Sequence, residues 1–202
     1  MANANTPKGL VPVQNSPGVE IQKNYYYIPS SYGTALFKGD PVIKTGTANS
    51  AAVVFGKEYA PGSLPEINKA TAGAGNLSTG VIVDFVFNPT NLNQTYNSAS
   101  TEAIAIVADH PDQLFEIQEE TAGTPLAITE VGLNANMVFS ESGSTVTGIS
   151  GVELDTSTPA TTQNFQLKIK RLIDRPDNAL GQHAKWLVKF NQHTEADNTS
   201  GI

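Results

Sequence analysis

Three histidines, His110, His183 and His193, are the only imidazoles of the chain, and it has no cysteine. Acid-base and metal chemistry therefore has to be built from these and from carboxylates. The most suggestive cluster is Asp109-His110-Pro111-Asp112, where two carboxylates and an imidazole are the donor types that take a divalent metal. Asp and Pro are also turn residues, and no D-x-[DN]-x-[DN]-G register surrounds these acids. The spacing is read as a solvent-facing turn, with no metal expected. Gly73-Ala74-Gly75-Asn76 has the glycines of a phosphate cradle, but neither a Gly-Lys-Ser/Thr ending nor G-x-G-x-x-G. There is no G-x-S-x-G elbow and no H-E-x-x-H pair. No catalytic residue, no cofactor and no enzyme activity are expected. Tyr25, Tyr26, Tyr27 and Trp186 offer faces on which a sugar ring stacks, although aromatics alternating in strands more often pack a core or an interface.

The elements that would position such groups are short. The chain has 202 residues with 17 glycines and 12 prolines spread along it, a punctuation that favours strands and turns over long helices. Hydrophobic residues make up 39% and charged residues 15%, which excludes a coiled coil. The length suits one domain, or two small ones, with a sizeable core, so no disulfide or metal staple is required. A net charge of −7 opposes any general attraction to nucleic acid or to an anionic membrane. No apolar run approaches a spanning helix and no secretion signal opens the chain, so a soluble protein made in the cytoplasm is expected.

Charge is segregated along the sequence. All 12 lysines and arginines lie at or before Lys69 or at or after Lys168, and the span from Asp84 to Asp155 is acidic without a local cation. This reads as a solvated acidic face, or as acidic and basic surfaces that meet between subunits.

Residues 1–24, with Pro7, Pro12 and Pro17 among Asn and Gly, are expected to form an extended arm outside the folded core, because proline gives a ladder no donor. Residues 25–193 are expected to be a β-rich domain and residues 194–202 a frayed tail. Strands are expected at Tyr25–Ile28, Val42–Lys44, Val81–Phe87, Ala103–Ala108, Gln113–Gln118, Phe165–Ile173 and Lys185–Phe190. Val81–Phe87 is apolar on both alternating faces and reads as the core strand. Leu126–Met137 reads as irregular or strand, Pro61–Pro65 as a loop, and Glu141–Ser144 as the tip of a hairpin between Val138-Phe139 and Val146-Thr147. The polar connection Asp174–Ala184 is longer than a hairpin needs and reads as a contact element. If the last two strands pair, Lys168, Lys170, Lys185 and Lys189 share a face and offer a basic stripe to an acidic partner.

Several blocks carry a resemblance: Ala2-Asn3-Ala4-Asn5, Ala35 to Lys44, Lys69 to Asn76 leading into Gly80-Val81, Phe115 to Glu119, Gly132 to Asn136, Leu154 to Thr158 through Leu167-Lys168-Ile169, and Ala184 to Val188. Together and in this order they look like a family of tailed-bacteriophage structural proteins, over nearly the whole chain. The Gly-Asp-Pro-Val block followed by Ala-Thr-Ala-Gly and Gly-Val is similar in layout to small capsid-stabilising proteins of β-tulip or β-barrel type.

The resemblance implies an all-β single domain, a β-barrel or β-tulip with an extended N-terminal arm, the alternative being a jelly-roll or β-sandwich. It implies a capsid decoration, or cement, protein on the outer surface of the virion head. Its partners would be the major capsid protein and further copies of itself, with no nucleic acid and no membrane. The expected partner contacts are Pro7, Leu10, Val11, Pro12, Val13, Tyr25, Lys168, Lys170, Arg175, Lys185 and Lys189. The alternative reading is a carbohydrate-binding or tail-associated adhesion module.

Overall fold

The computed structural model describes residues 3–13, 20–50, 53–54, 57–89 and 91–196. In chain order the strands are β1 (Val11–Val13), β2 (Asn24–Ile28), β3 (Pro41–Ala48), β4 (Val53–Val54), β5 (Lys57–Glu58), β6 (Pro65–Lys69), β7 (Gly80–Phe85), β8 (Ala103–Ala108), β9 (Leu114–Gln118), β10 (Asn134–Ala135), β11 (Met137–Val138), β12 (Glu153–Leu154), β13 (Leu167–Leu172) and β14 (Lys185–Phe190). A single 3-10 turn at Ile128–Glu130 is the one helical element among the described residues. The protein is all-β, as the glycine and proline spacing predicts.

Two assemblies share the chain. In the first, the pairing order β2-β6-β3-β7-β8 closes into a ring, because β8 pairs back on β2. Its interior holds Ile28, Leu36, Val42, Ile67, Ile82, Ala105 and Val107, capped by Tyr26. The seams are uneven: β2 and β8 register over five residues, whereas β2 and β6 meet in parallel at Tyr27 and Glu66 alone. The second assembly is a five-stranded antiparallel sheet in the order β1-β9-β14-β13-β10. Its buried face carries Phe115, Ile117, Leu167, Ile169, Trp186, Val188 and Phe190, the period-2 positions of β9, β13 and β14. Val81 and Ala108 belong to ring strands yet pack in this second cluster. Alternation explains how: Ile82 points into the ring while Val81 and Val83 point out of it onto the sheet.

The strand expected over Phe165–Ile173 keeps its period only to Ile169. The register with β14 slips between Ile169 and Arg171, so Leu172 rather than Arg171 returns to the core side, opposite Trp186. A bulge of this kind lets a strand carry Lys170 and Arg171 in succession without burying a cation.

Several expectations are corrected. The N-terminal segment belongs to the folded core: Leu10 is fully buried, and β1 pairs with β9 through Val11–Glu116, Pro12–Phe115 and Val13–Leu114. Proline is tolerated because β1 is an edge strand whose far side needs no ladder donor. Residues 1–2 and 14–19 of the expected arm lie outside the described residues. Pro65 opens β6 instead of closing a loop, and β11 pairs with β12 across a long excursion, so the hairpin centred on Glu141–Ser144 does not form. At the C-terminus, the Thr194 amide donates to the Ser78 carbonyl at 3.0 Å, and its hydroxyl contacts that of Thr79 at 3.1 Å. The rest of the expected tail, residues 197–202, lies outside the described residues.

The segregated charges also meet within one chain. Lys38 pairs with Asp84 at 2.7 Å, Arg175 with Glu116 at 2.9 Å and 3.0 Å through both carboxylate oxygens, and Lys189 with Asp112. Folding brings the basic ends onto the acidic middle, so for these residues the sequence separation does not survive as separated surfaces.

Candidate functional site: the groove beside the N-terminal strand

The N-terminal segment is held at several points along its length. The Asn3 side chain donates to the carbonyls of Ala179 and Gln182 at 2.8 Å and 2.9 Å, and accepts from the Ala179 amide at 2.9 Å. The Thr6 amide donates to Gln118 Oε1 at 2.9 Å, and Gln113 Nε2 donates to the Val13 carbonyl at 2.7 Å. Between these staples the chain crosses the corner Phe37–Asp40 with two glycines in contact. Gly9 and Gly39 both have positive φ, 65° and 92°. A Cβ on Gly9 would stand 2.4 Å from the Gly39 carbonyl oxygen, and one on Gly39 would stand 2.3 Å from that of Lys8. Only glycine permits both the backbone angles and this approach.

That corner is anchored by Asp40, a fully buried carboxylate. Its oxygens accept from the Phe37 amide at 2.9 Å and the Ser150 hydroxyl at 2.6 Å, and Lys69 Nζ lies 3.0 Å away over the ring of Phe139. A buried charge is tolerable when paired and hydrogen-bonded in this way. The result is a rigid node joining β3, β6 and the loop at Ser150 beneath the N-terminal crossing.

Seating the segment leaves a groove of about 330 Å³ between β1 and β7. Val11, Pro12, Ile21, Val83 and Ile149 make its apolar lining over the buried Leu10 and the β7 backbone at Ile82, and Lys8, Lys23 and Lys38 stand around it. Lys38 is committed to Asp84, whereas Lys8 and Lys23 form no ion pair among the described residues. Both stand beside the apolar channel, on a protein of net charge −7.

The residues expected from sequence to meet a partner divide into three groups. Val11 and Pro12 line the groove, and Leu10 underlies it but is fully buried and unavailable for contact. Pro7 and Val13 are half-buried on the same segment, and Tyr25 is exposed on β2. Of the basic residues, Lys168 and Lys189 are directly opposed across β13 and β14, and Lys185 lies on the same face two strand alternations away. Lys170 is the exposed extra residue of the bulge. Arg175 and Lys189 are engaged by Glu116, Asp177 and Asp112 of their own chain. The groove lysines Lys8 and Lys23 were legible only as composition, since nothing local marks them as neighbours of β7.

No protein-family model, curated protein or solved structure matches the chain.

The other sequence candidates have structural partners. Trp186 is fully buried and donates from Nε1 to Glu119 Oε2 at 3.0 Å, and Tyr26 is buried and donates to Asp109 Oδ2 at 2.6 Å. The sugar platform read from Tyr25, Tyr26, Tyr27 and Trp186 therefore does not exist as a surface. In the Asp109–Asp112 turn, Asp109 accepts from Asn24 and Tyr26, Asp112 pairs with Lys189, and His110 Nδ1 accepts the Asp112 amide at 3.1 Å. The salt bridge holds the Asp112 carboxyl below its ordinary range. Glu119 is fully buried, and burial pushes its carboxyl up despite the hydrogen bonds from Trp186 and the Leu126 amide. Tyr27 donates to Glu102 at 2.5 Å, and burial with that acceptor pushes its hydroxyl up to about 12.

Proposed function

We propose that the chain is a capsid decoration protein of a tailed bacteriophage, seated on the outer surface of the head and clamping neighbouring major capsid protein subunits. The single observation that carries the reading beyond the resemblance of its sequence blocks is the groove beside β1. It is an apolar channel flanked by two lysines that form no ion pair among the described residues, set on a rigid corner, and suited to receive an acidic apolar segment of another protein. The closed ring of five strands is, in this reading, a small β-barrel that carries the groove on its flank. Exposed Lys170 of β13, with half-buried Lys185 of β14, adds a second, weaker contact. Each solvent-exposed ion pair there is worth only about 0.2–1 kcal/mol, so the apolar channel supplies most of the affinity.

The test is co-sedimentation of the purified protein with empty expanded heads of the phage that carries its gene. Saturable binding is expected, weakened by about tenfold or more in a Lys8→Glu, Lys23→Glu double variant that melts as the parent does. Absence of binding, or binding indifferent to both substitutions and to salt, overturns the reading.

A further inference from the structure

On the other side of the Lys38–Asp84 ion pair lies a second cavity, of about 240 Å³, formed where the chain leaves β7 and returns toward β8. Its chemistry differs from that of the groove. Asp84, Asn91, Gln94 and Tyr96 face it together with Phe87 and Leu92. Phe87 is 67% exposed and Leu92 71% exposed, an unusual cost for side chains of this size on adjoining turns of one loop.

The geometry points to this cleft as a binding site for a neutral saccharide. Sugars present two kinds of surface: hydroxyls that need planar donors and acceptors, and a face of C–H groups that packs on an aromatic ring. The cleft supplies both. Asp84 Oδ1 is held by Lys38 Nζ at 2.7 Å and by the Phe85 amide at 2.9 Å, which fixes the carboxylate and leaves Oδ2 to accept from hydroxyls. The Asn91 side chain makes no hydrogen bond among the described residues and offers both donor and acceptor. Gln94 is oriented by the Asn88 side chain, which donates to its Oε1 at 3.1 Å, so its amide donors remain for a ligand.

The wall is rigid as well as polar. Tyr96 stacks on Phe37 with ring centroids 5.0 Å apart and planes 14° off parallel, and Leu36 exchanges backbone hydrogen bonds with Asn97 at 2.9 Å in both directions. Phe87 stands at the lip with its ring unclaimed by any aromatic partner among the described residues. A charged ligand is not favoured, because the one cation and the one anion present neutralise each other. The site is independent of the groove reading and uses none of the tyrosines or the tryptophan that the sequence offered for sugar stacking.

The experiment is saturation-transfer NMR on the intact chain with maltose, lactose, cellobiose and chitobiose, followed by titration of any that respond. At least one disaccharide is expected to bind in the millimolar range or tighter, with Phe87→Ala and Asn91→Ala each weakening it by about tenfold. Both side chains are exposed, so both variants should melt within a few degrees of the parent and bind heads as the parent does. No transfer from any of the four sugars overturns the proposal. Binding that both variants retain at full strength overturns it too. Loss of head attachment in Phe87→Ala without any sugar response assigns the cleft to the protein interface instead, and the saccharide site falls.

Discussion

The ring and the five-stranded sheet bury comparable apolar chemistry by different means. The sheet is a ladder: β9 and β14 register over five consecutive residues, and large side chains, Trp186, Phe115 and Phe190, fill its buried face. The ring is a closure: its interior is made of Ala and branched residues, β3 and β7 register over only Pro41–Val81 and Val42–Gly80, and one parallel contact seals β2 to β6. A ladder distributes its stability along many hydrogen bonds, so a single defect is local. A closure concentrates it in packing and in the corners that bring strands together, so the Asp40 node and the Gly9–Gly39 contact count for more than their size.

The sharpest way to break this contrast is to remove one large residue from each core. Trp186→Ala is expected to cost about 3–5 kcal/mol and Ile67→Ala about 2–5 kcal/mol. Because Val81 and Ala108 of the ring pack in the sheet's core, both variants should lower the midpoint of one shared unfolding transition, read by calorimetry. Two resolved transitions would show that ring and sheet are separate cooperative units.

Next in size is the N-terminal crossing. Leu10→Ala removes a fully buried side chain and is expected to cost about 2–4 kcal/mol in a denaturant titration. Gly9→Ala meets both a positive φ and a carbonyl within 2.4 Å, and is expected to cost about as much despite adding a single methyl group. A truncation lacking residues 2–13 should be markedly less stable than the parent. Melting of these variants as the parent does would return the segment to the status of a loose arm.

The smallest effects are electrostatic and sharpen the contrast by pH. Glu119 lies under the sheet with its carboxyl pushed up by burial, so its contribution to stability is present below its unfolded value and is lost as pH rises through the folded one. Glu119→Gln keeps an acceptor for Trp186 Nε1 and removes the buried charge, and is expected to stabilise the protein at pH 7 by about 1 kcal/mol with little change at pH 4. His193 is shifted the other way: burial holds its imidazole below the usual range, with Nδ1 accepting the Glu195 amide at 3.0 Å. Its contribution is present above the unfolded value near 6.5 and is lost as pH falls toward the folded one. His193→Gln should flatten the thermal-stability profile below about pH 6.5, where the parent declines.

What the sequence revealed tracks the same contrast. The alternation in Phe115–Ile117, Leu167–Ile169 and Trp186–Phe190 announces half-buried strands because a ladder with one dry face imposes period 2 on its own residues. The ring strand β6 was hidden: Pro65-Glu66-Ile67-Asn68-Lys69 has one apolar position facing inward, and proline at its start reads as a loop. β1 was hidden for a different reason. Three residues carry no period, and the burial of Leu10 is imposed by β9 and the Phe37–Asp40 corner, both remote in sequence. The groove followed it out of sight, since its lining comes from β1, the approach to β2, and β7. The saccharide cleft was obscured by composition: Asn, Thr and Gln around Phe87 look like ordinary turn chemistry until folding gathers them around a cavity.

The position of β1 carries a consequence for how the protein is made. Val11 to Val13 are made long before the one strand they pair with among the described residues, Leu114 to Glu116, which is synthesised after every strand of the ring. β9 in turn waits for β14, the last of the described strands. The ring can close before the later strands are made, but the sheet cannot, so its apolar face and β1 stay unsatisfied until β14 has been synthesised. The groove beside β1 thus waits on β9 as well as on the ring, and a product terminated before Leu114 lacks the surface proposed to engage a partner.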